Sequence, residues 1–375
     1  MQQELKDLLD KNSERMLTRI SAEESVEIKK AIAVHISEIE AASTPEAKRD
    51  LLDIKFGPSL NNILHLAAKF GDEDAVKRIL ALSDELYVNV GNIDNFIALH
   101  FAAIGGYIEM VKALITAGCD QNAKASEKRR RWTPAHFAAK NNHVEVLEAF
   151  IKYGVDKEIK TGFGLTPLVV GAEFGHLKIV EYMLSIGAEK NVQTTEENHK
   201  MTALHYAVIG GFKDVVLLLL NAKVDREKET TFGMTAFEFA AKNNLVEMTS
   251  LLMTYGSARW NEALKIAQEN KSEDVVKQII KYQKAKANLF STKWLSEKGS
   301  ELSNIVKSYE LVNLGEAKII LEDGVVLNAF GIVSLTHEIG LFKKVTKTFQ
   351  EFLNENGQEE LARLLSNLKG LTSVN

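Results

Sequence analysis

TPAHFAAKNNHVEVLEAFIKYGVD, Thr133 to Asp156, reads as two short helices joined by a turn. Thr133 is a good N-cap, because its hydroxyl can accept from an early N–H that has no helical partner. Pro134 at the first helical position loses no useful donor and presets φ. Ala138 and Ala139 are small enough to let two helices approach closely. HVEVLEAFI then carries apolar residues at helical spacing. Gly154 can take the left-handed conformation that ends a helix.

The same pattern recurs along the chain. NILHLA starts at Asn62, IALHFA at Ile97, TPAHFA at Thr133, TPLVVG at Thr166, TALHYA at Thr202 and TAFEFA at Thr235, giving spacings of 35, 36, 33, 36 and 33. A decayed seventh copy, EALKIA, follows at Glu262 after 27 residues. Each run leads through a Gly or Asn into an apolar stripe such as YIEMVKALI, HLKIVEYML or FKDVVLLLL, and most stripes end in a Gly-containing turn. A fixed period of this length marks an array of stacked supersecondary units.

These residues resemble the ankyrin repeat, a helix–turn–helix pair followed by a projecting β-turn finger. The resemblance covers roughly Phe56 to Tyr282. It implies an all-α solenoid in which each repeat buries its faces against its neighbours. Asn62-Ile63 replaces Thr-Pro in the first repeat, and Val169 and Glu238 stand where His is usual. These departures are expected to loosen local order without changing the fold. The shortened spacing and charged outer helix of the last copy fit a terminal cap.

Helical segments flank the array on both sides, so the expected division is 1–55, 56–283 and 284–375. SAEESVEIKKAIAVHISEIE reads as an amphipathic helix with a Ser21/Glu24 capping box, and Thr44-Pro45 starts a second, shorter one. Both are expected to cap the first repeat. After the array, KWLSEKGSELSNIVKSYELV, GLFKKVTKTFQEFL and QEELARLLSNLKGL carry apolar residues spaced three and four apart and predict a C-terminal helical module.

Composition narrows the function. The 375 residues are 45% hydrophobic and 26% charged, with a formal net charge of −5. A protein built to neutralise nucleic acid is expected to be basic, which counts against that class. The only cysteine, Cys119, rules out an internal disulfide and a cysteine-based zinc site. MQQELKDLLDKNSERML lacks the apolar core of a secretory signal. VVLLLL, Val215 to Leu220, is too short to span a bilayer. A cytoplasmic monomer is the expectation. The Lys/Asn/Ile-rich, Pro-poor composition also resembles proteins of AT-rich genomes, including intracellular bacteria that deploy ankyrin-repeat effectors in host cells.

No catalytic, cofactor or metal constellation emerges. His65, His100, His136 and His205 hold the fourth position of the repeat run, and His143 and His176 begin second helices. The remaining His35, His199 and His337 lack metal-ligand spacing. GFGLT and TFGMT are glycine-rich, but no Lys-Ser/Thr follows as a phosphate loop requires. The expectation is a binding protein, not an enzyme.

The run Lys128 to Arg131, KRRR, falls on a finger about three residues longer than the ordinary ones, and so does QTTEENHKM before Thr202. Three readings stand for it: contact with an acidic protein partner, plain solvation, or a nucleic-acid, anionic-lipid or import patch. Arg suits bidentate recognition of carboxylate. In ankyrin-like stacks the finger tips and exposed ends of first helices line the concave face where protein partners dock. Carried over by position, that face would present Arg129, Arg130, Arg131, Trp132, Phe163, His199 and Phe232 from fingers. First helices would add Phe70, Lys140, Asn141, Glu173, Phe174 and Lys242. Phe96, Trp132, Leu165, Met201 and Met234 have packing between fingers as a competing role. The expected function is a protein-interaction scaffold. The alternative makes the array a targeting arm for an effector or enzymatic activity in 284–375.

Overall fold

The computed structural model describes residues 7–8, 10–11, 21–289, 306–312, 316–321 and 326–328. The chain divides into two compact units, Met1–Val224 and Asp225–Asn375. In the first unit, α1 (Ala22–Ala41) and α2 (Pro45–Leu52) precede five helix pairs. These are α3 (Ile63–Lys69) with α4 (Glu73–Leu82), α6 (Ala98–Gly105) with α7 (Ile108–Thr116), α8 (Pro134–Lys140) with α9 (Val144–Lys152), α10 (Pro167–Glu173) with α11 (Leu177–Ser185), and α12 (Ala203–Ile209) with α13 (Lys213–Asn221). A short α5 (Glu85–Val88) follows α4 and absorbs the extra residues in the first spacing. First helices pack on first helices of adjacent repeats, as α3 on α6, α6 on α8, α8 on α10 and α10 on α12.

The helix starts follow from the repeat run. Thr202 Oγ1 accepts from the His205 N–H at 3.4 Å, while His205 Nδ1 accepts from the Thr202 N–H at 3.2 Å. Two N-terminal donors are thereby satisfied reciprocally. Asn62 does the same job in the first repeat: its Oδ1 accepts from the His65 N–H at 2.9 Å, and His65 Nδ1 accepts from the Asn62 N–H at 3.0 Å. The loosening expected there does not occur, because an amide oxygen caps as well as a hydroxyl. Each histidine is buried, and burial holds His65 down at about 3 and His100 and His136 at about 4. His136 Nε2 reaches the carbonyls of Ile159 (3.1 Å) and Leu165 (3.0 Å), so the ring pins its own helix to the next finger. With Nδ1 accepting and Nε2 facing carbonyls, the neutral Nε2–H tautomer fits.

His143 and His176 tie repeats together from the second helices. Their Nε2 atoms bond the carbonyls of Ile104 (3.0 Å) and Lys140 (2.6 Å), late in the preceding repeat's first helix. Gly106 lies at φ +74°, and a Cβ there would sit 2.5 Å from His143 Nδ1. Farther along, Lys157 Nζ donates to the carbonyls of Ile186 and Gly187 at 2.8 Å, and Lys190 Nζ donates to that of Ala222 at 2.6 Å. A cation is favourable at a helix C-terminus, whose carbonyls lack helical donors.

Fingers close by the same logic at two lengths. The Thr161 N–H donates to the Leu165 carbonyl, and the Asn92 N–H to that of Phe96. In the long fingers the closing bonds run from Ala125 to Trp132 and from Thr194 to Met201, with 3₁₀ turns at Glu127–Arg129 and Glu196–Asn198 filling the added length. Each turn ends in two residues at positive φ: Arg130 and Arg131 (58° and 51°), and His199 and Lys200 (64° and 52°). Neighbouring fingers share one backbone bond each, Ile93 N–H to Ser59, Ser126 to Asp94, Gly162 to Arg130 and Thr195 to Phe163.

At the N-terminal end α1 packs on α3 and α4. Its capping box is formed, with the Glu24 N–H donating to Ser21 Oγ at 3.1 Å and the Ser21 N–H to Glu24 Oε2 at 2.9 Å. Ile28, Ile32, Ile36 and Ile39 are buried, whereas Val26 is exposed. The Tyr87 hydroxyl donates to the Leu52 carbonyl at 3.0 Å, tying α5 to α2.

The second unit contains α14 (Ala236–Lys242), α15 (Val246–Thr254), α16 (Trp260–Glu269) and α17 (Glu273–Leu289). Glu238 takes the histidine's place here: its Oε2 accepts from the Thr235 N–H at 2.7 Å and from the hydroxyl at 3.0 Å. This departure also supports the cap that was expected to loosen. The unit further holds a three-stranded antiparallel sheet, β1 (Val306–Val312), β2 (Glu316–Leu321) and β3 (Val326–Asn328), in the order β1-β2-β3. Helix was expected through Lys293–Val312, and its last seven residues form a strand instead. A short run with Val at both ends and a central Tyr suits either state locally, and cross-strand pairing with β2 decides it. GLFKKVTKTFQEFL and QEELARLLSNLKGL lie outside the described residues.

Candidate partner-binding face

The long finger of the third repeat, α8 and α10 bring most of the sequence-derived positions together. Trp132 is buried against Phe137 (ring centroids 5.3 Å apart) and Phe174 (6.3 Å), and Phe96 lies 5.1 Å from Phe137. The result is a row of aromatic rings shared between repeats. Cations lie over it: Lys69 Nζ over Phe101 at 5.9 Å, Arg129 over Phe96 at 5.9 Å, and Lys140 Nζ over Trp132 at 5.4 Å and Phe174 at 5.2 Å. Arg130 sits 5.7 Å above Phe163 in the neighbouring finger. Such contacts hold a side chain in place while leaving its charge facing water.

Two of the three arginines also have acidic partners. Arg129 donates from Nε and Nη2 to Asp94 Oδ2 at 3.0 and 2.8 Å, linking adjacent fingers. Arg130 Nη1 lies 3.7 Å from Glu173 Oε1, an ion pair too long for a hydrogen bond. Lys128 and Arg131 are exposed and have no ion pair among the described residues. Glu173 is 20% exposed, and its Oε2 is buried with no hydrogen-bond donor. Burial raises its carboxyl above the ordinary range, against the opposing pull of Arg130 and Lys140. Tyr206 of α12, bonded to Asn198 Nδ2, is close enough for the Glu173 charge to raise its phenol further, after burial as the main cause.

Several expected contact residues play other parts. Phe70 (1% exposed) and Trp132 (4%) are buried, which corrects their assignment to an open surface. The packing role also holds for Phe96, Leu165 and Met201, while Met234 is half-buried. Asn141 Nδ2 is used on the Phe137 carbonyl at 2.8 Å, capping its own helix. His199 is exposed at the tip of the other long finger. In the second unit Phe232 is 59% exposed and Lys242 is exposed. Sequence reasoning missed Phe101, Phe137, Asp94 and Tyr206. Phe101, Phe137 and Tyr206 all occupy the fifth position of the repeat run, one helical turn from the capping residue. That period was available in the sequence; the Asp94–Arg129 pair, 35 residues apart, was not.

Among the described residues no group of three or more His, Cys, Asp or Glu is placed to hold a metal ion. None of their helices is long and apolar enough to cross a membrane. Burial pushes the Cys119 thiol up to about 12, with Sγ 3.5 Å from the Val88 carbonyl, an unreactive setting.

Stacked helix pairs, reciprocal caps and finger-to-finger bonds define a helical repeat array. The family pattern described as ankyrin repeats (3 copies) matches residues 40–125, 124–194, 186–259 and 204–291. The chain belongs to the ankyrin-repeat family. No curated protein sequence matches it.

Proposed function

We propose that this protein is a non-catalytic interaction scaffold that binds a protein partner carrying an acidic surface, through the finger tips and first-helix ends of the third and fourth repeats. The observation that carries this reading is the set of cations seated on aromatic rings: Arg130 on Phe163, and Lys140 on Trp132 and Phe174. Pre-positioned charge reduces the ordering cost of binding, and aromatic and Arg side chains are enriched where interfaces concentrate their energy. Asp94 and Glu173 offset part of this charge, but Lys128 and Arg131 add to it. Residues 1–55 act in this reading as an N-terminal cap, and 284–375 as a separate module.

The test is affinity capture with mass-spectrometric identification, comparing the intact chain with an Arg130→Ala, Lys140→Ala, Phe163→Ala variant whose helical content is verified by circular dichroism. A partner held by the intact chain and released by the variant is expected. Equal capture by both moves the binding surface elsewhere, with 284–375 as the next region to dissect.

A further inference from the structure

Glu173 is an unusual residue to find at the centre of a cationic face. The corresponding end of α8 carries Lys140, that of α3 carries Lys69 and that of α12 carries Ile209. Its side chain is four-fifths buried, one carboxylate oxygen has no hydrogen-bond donor, and the carboxylate meets Arg130 only at 3.7 Å. A carboxylate stabilising a rigid core would be expected to accept two or three short bonds. Glu173 instead lies loosely within reach of two cations that are held independently of it, Arg130 by Phe163 and Lys140 by Trp132 and Phe174.

We propose that Glu173 is an internal occupant of an anion site formed by Arg130 and Lys140, and that an acidic segment of a protein partner docks by setting its own carboxylate against these cations while Glu173 takes up a proton. The proposal rests on the reading of this face as a protein-binding surface. Two carboxylates sharing one site cannot both keep their charge at little cost, so one of them binds a proton. Burial already biases Glu173 toward the protonated form. The groups facing it are Arg130 from the finger, Lys140 from α8 and Tyr206 from α12, with His176 stacked on Phe174 beside it. Charge complementarity selects the occupant: the cations over Phe96, Phe101, Phe163, Trp132 and Phe174 outnumber Asp94 and Glu173. Docking therefore takes up a proton, and affinity rises as pH falls from neutrality until the partner's own carboxylates begin to protonate.

The experiment titrates the full-length chain into a fluorescein-labelled hexa-aspartate peptide at low ionic strength and follows anisotropy at several pH values between about 7.5 and 5. Three forms are compared: the parent, Glu173→Gln, and Glu197→Gln as a control that removes one exposed finger charge. Glu173→Gln is expected to bind about fivefold or more tightly than the parent at neutral pH, with the advantage shrinking toward acid, whereas Glu197→Gln gains less than about twofold from long-range charge alone. Every other ionisable group on the array is common to the parent and Glu173→Gln, so the ratio of the two isolates the proton taken up at 173. A parent that binds with the same affinity and pH profile as Glu173→Gln overturns the internal-occupant proposal while leaving the acidic-partner reading intact. If none of the three forms binds the peptide, both fail.

Discussion

Arg259 Nε lies 3.3 Å from Oε1 of Glu238, a side chain only 1% exposed. The sixth repeat has a carboxylate where the first, second, third and fifth repeats have histidine, and a guanidinium faces it. The other carboxylate oxygen still performs the cap on Thr235. What reads in sequence as decay of the repeat is a substitution with its compensation 21 residues away.

That pairing has a measurable consequence. Arg259→Leu leaves a buried carboxylate without its counter-charge and should destabilise the second unit by about 3 kcal/mol. Adding Glu238→Gln to Arg259→Leu should restore more than half of the loss. Guanidinium denaturation followed by helical circular dichroism checks both, and a single-variant loss below about 1 kcal/mol would sink the account.

Gly171 occupies a helix position that is Ala in the other clear repeats, and replacing a mid-helix glycine by Ala ordinarily gains up to about 1 kcal/mol. A Cβ at 171, however, would meet Ile179 Cγ2 at 2.6 Å and Ile179 Cβ at 3.1 Å. Overpacking of this kind costs about 1–3 kcal/mol. Gly171→Ala is therefore expected to lower the thermal midpoint, and a raised midpoint would show that α11 can move aside freely.

Lys223 has φ 57° in the turn after α13, where Gly118, Gly154 and Gly187 fill the same place at positive φ. A left-handed conformation costs a residue with a Cβ about 1 kcal/mol. Lys223→Gly should raise stability by up to about 1 kcal/mol in the same denaturation measurement. No change, or a loss, would mean that the lysine's strain is offset by contacts of its side chain.

The buried histidines set a pH limit. Their folded pKa values, about 3 for His65 and about 4 for His100 and His136, lie below the ordinary value of 6.5. Between these limits the unfolded chain binds more protons than the folded one, so stability rises with pH across that window. It is complete above about pH 6.5 and falls progressively as pH drops toward about 4. Denaturation midpoints recorded across this range should decline on acidification, and His136→Gln should flatten part of the decline while lowering stability at neutral pH.

The array was legible because its determinants are local and periodic. Thr-Pro caps, paired alanines and left-handed turn positions act within a few residues, and their repetition at 33 to 36 residues multiplies a weak signal. The extra length of two fingers was also visible, and the structure turns it into two matching 3₁₀ turns. The strand at Val306–Val312 was not legible, since seven residues carry too few periods to separate helix from strand.

Sequence by itself determined the repeat, its register, the helix starts and the side of each helix that must be small. Only the tertiary structure decided which polar residues meet: Arg129 with Asp94, Arg130 with Glu173, Arg259 with Glu238, and Lys140 over Trp132 and Phe174. It likewise turned Phe70 inward, against its expected place on the open face, and buried Trp132, for which packing and contact had both stood. The physical reason is range. Capping and helical periodicity act over one or two turns of chain, whereas these pairings join residues from different fingers and helices that become neighbours only when the repeats stack.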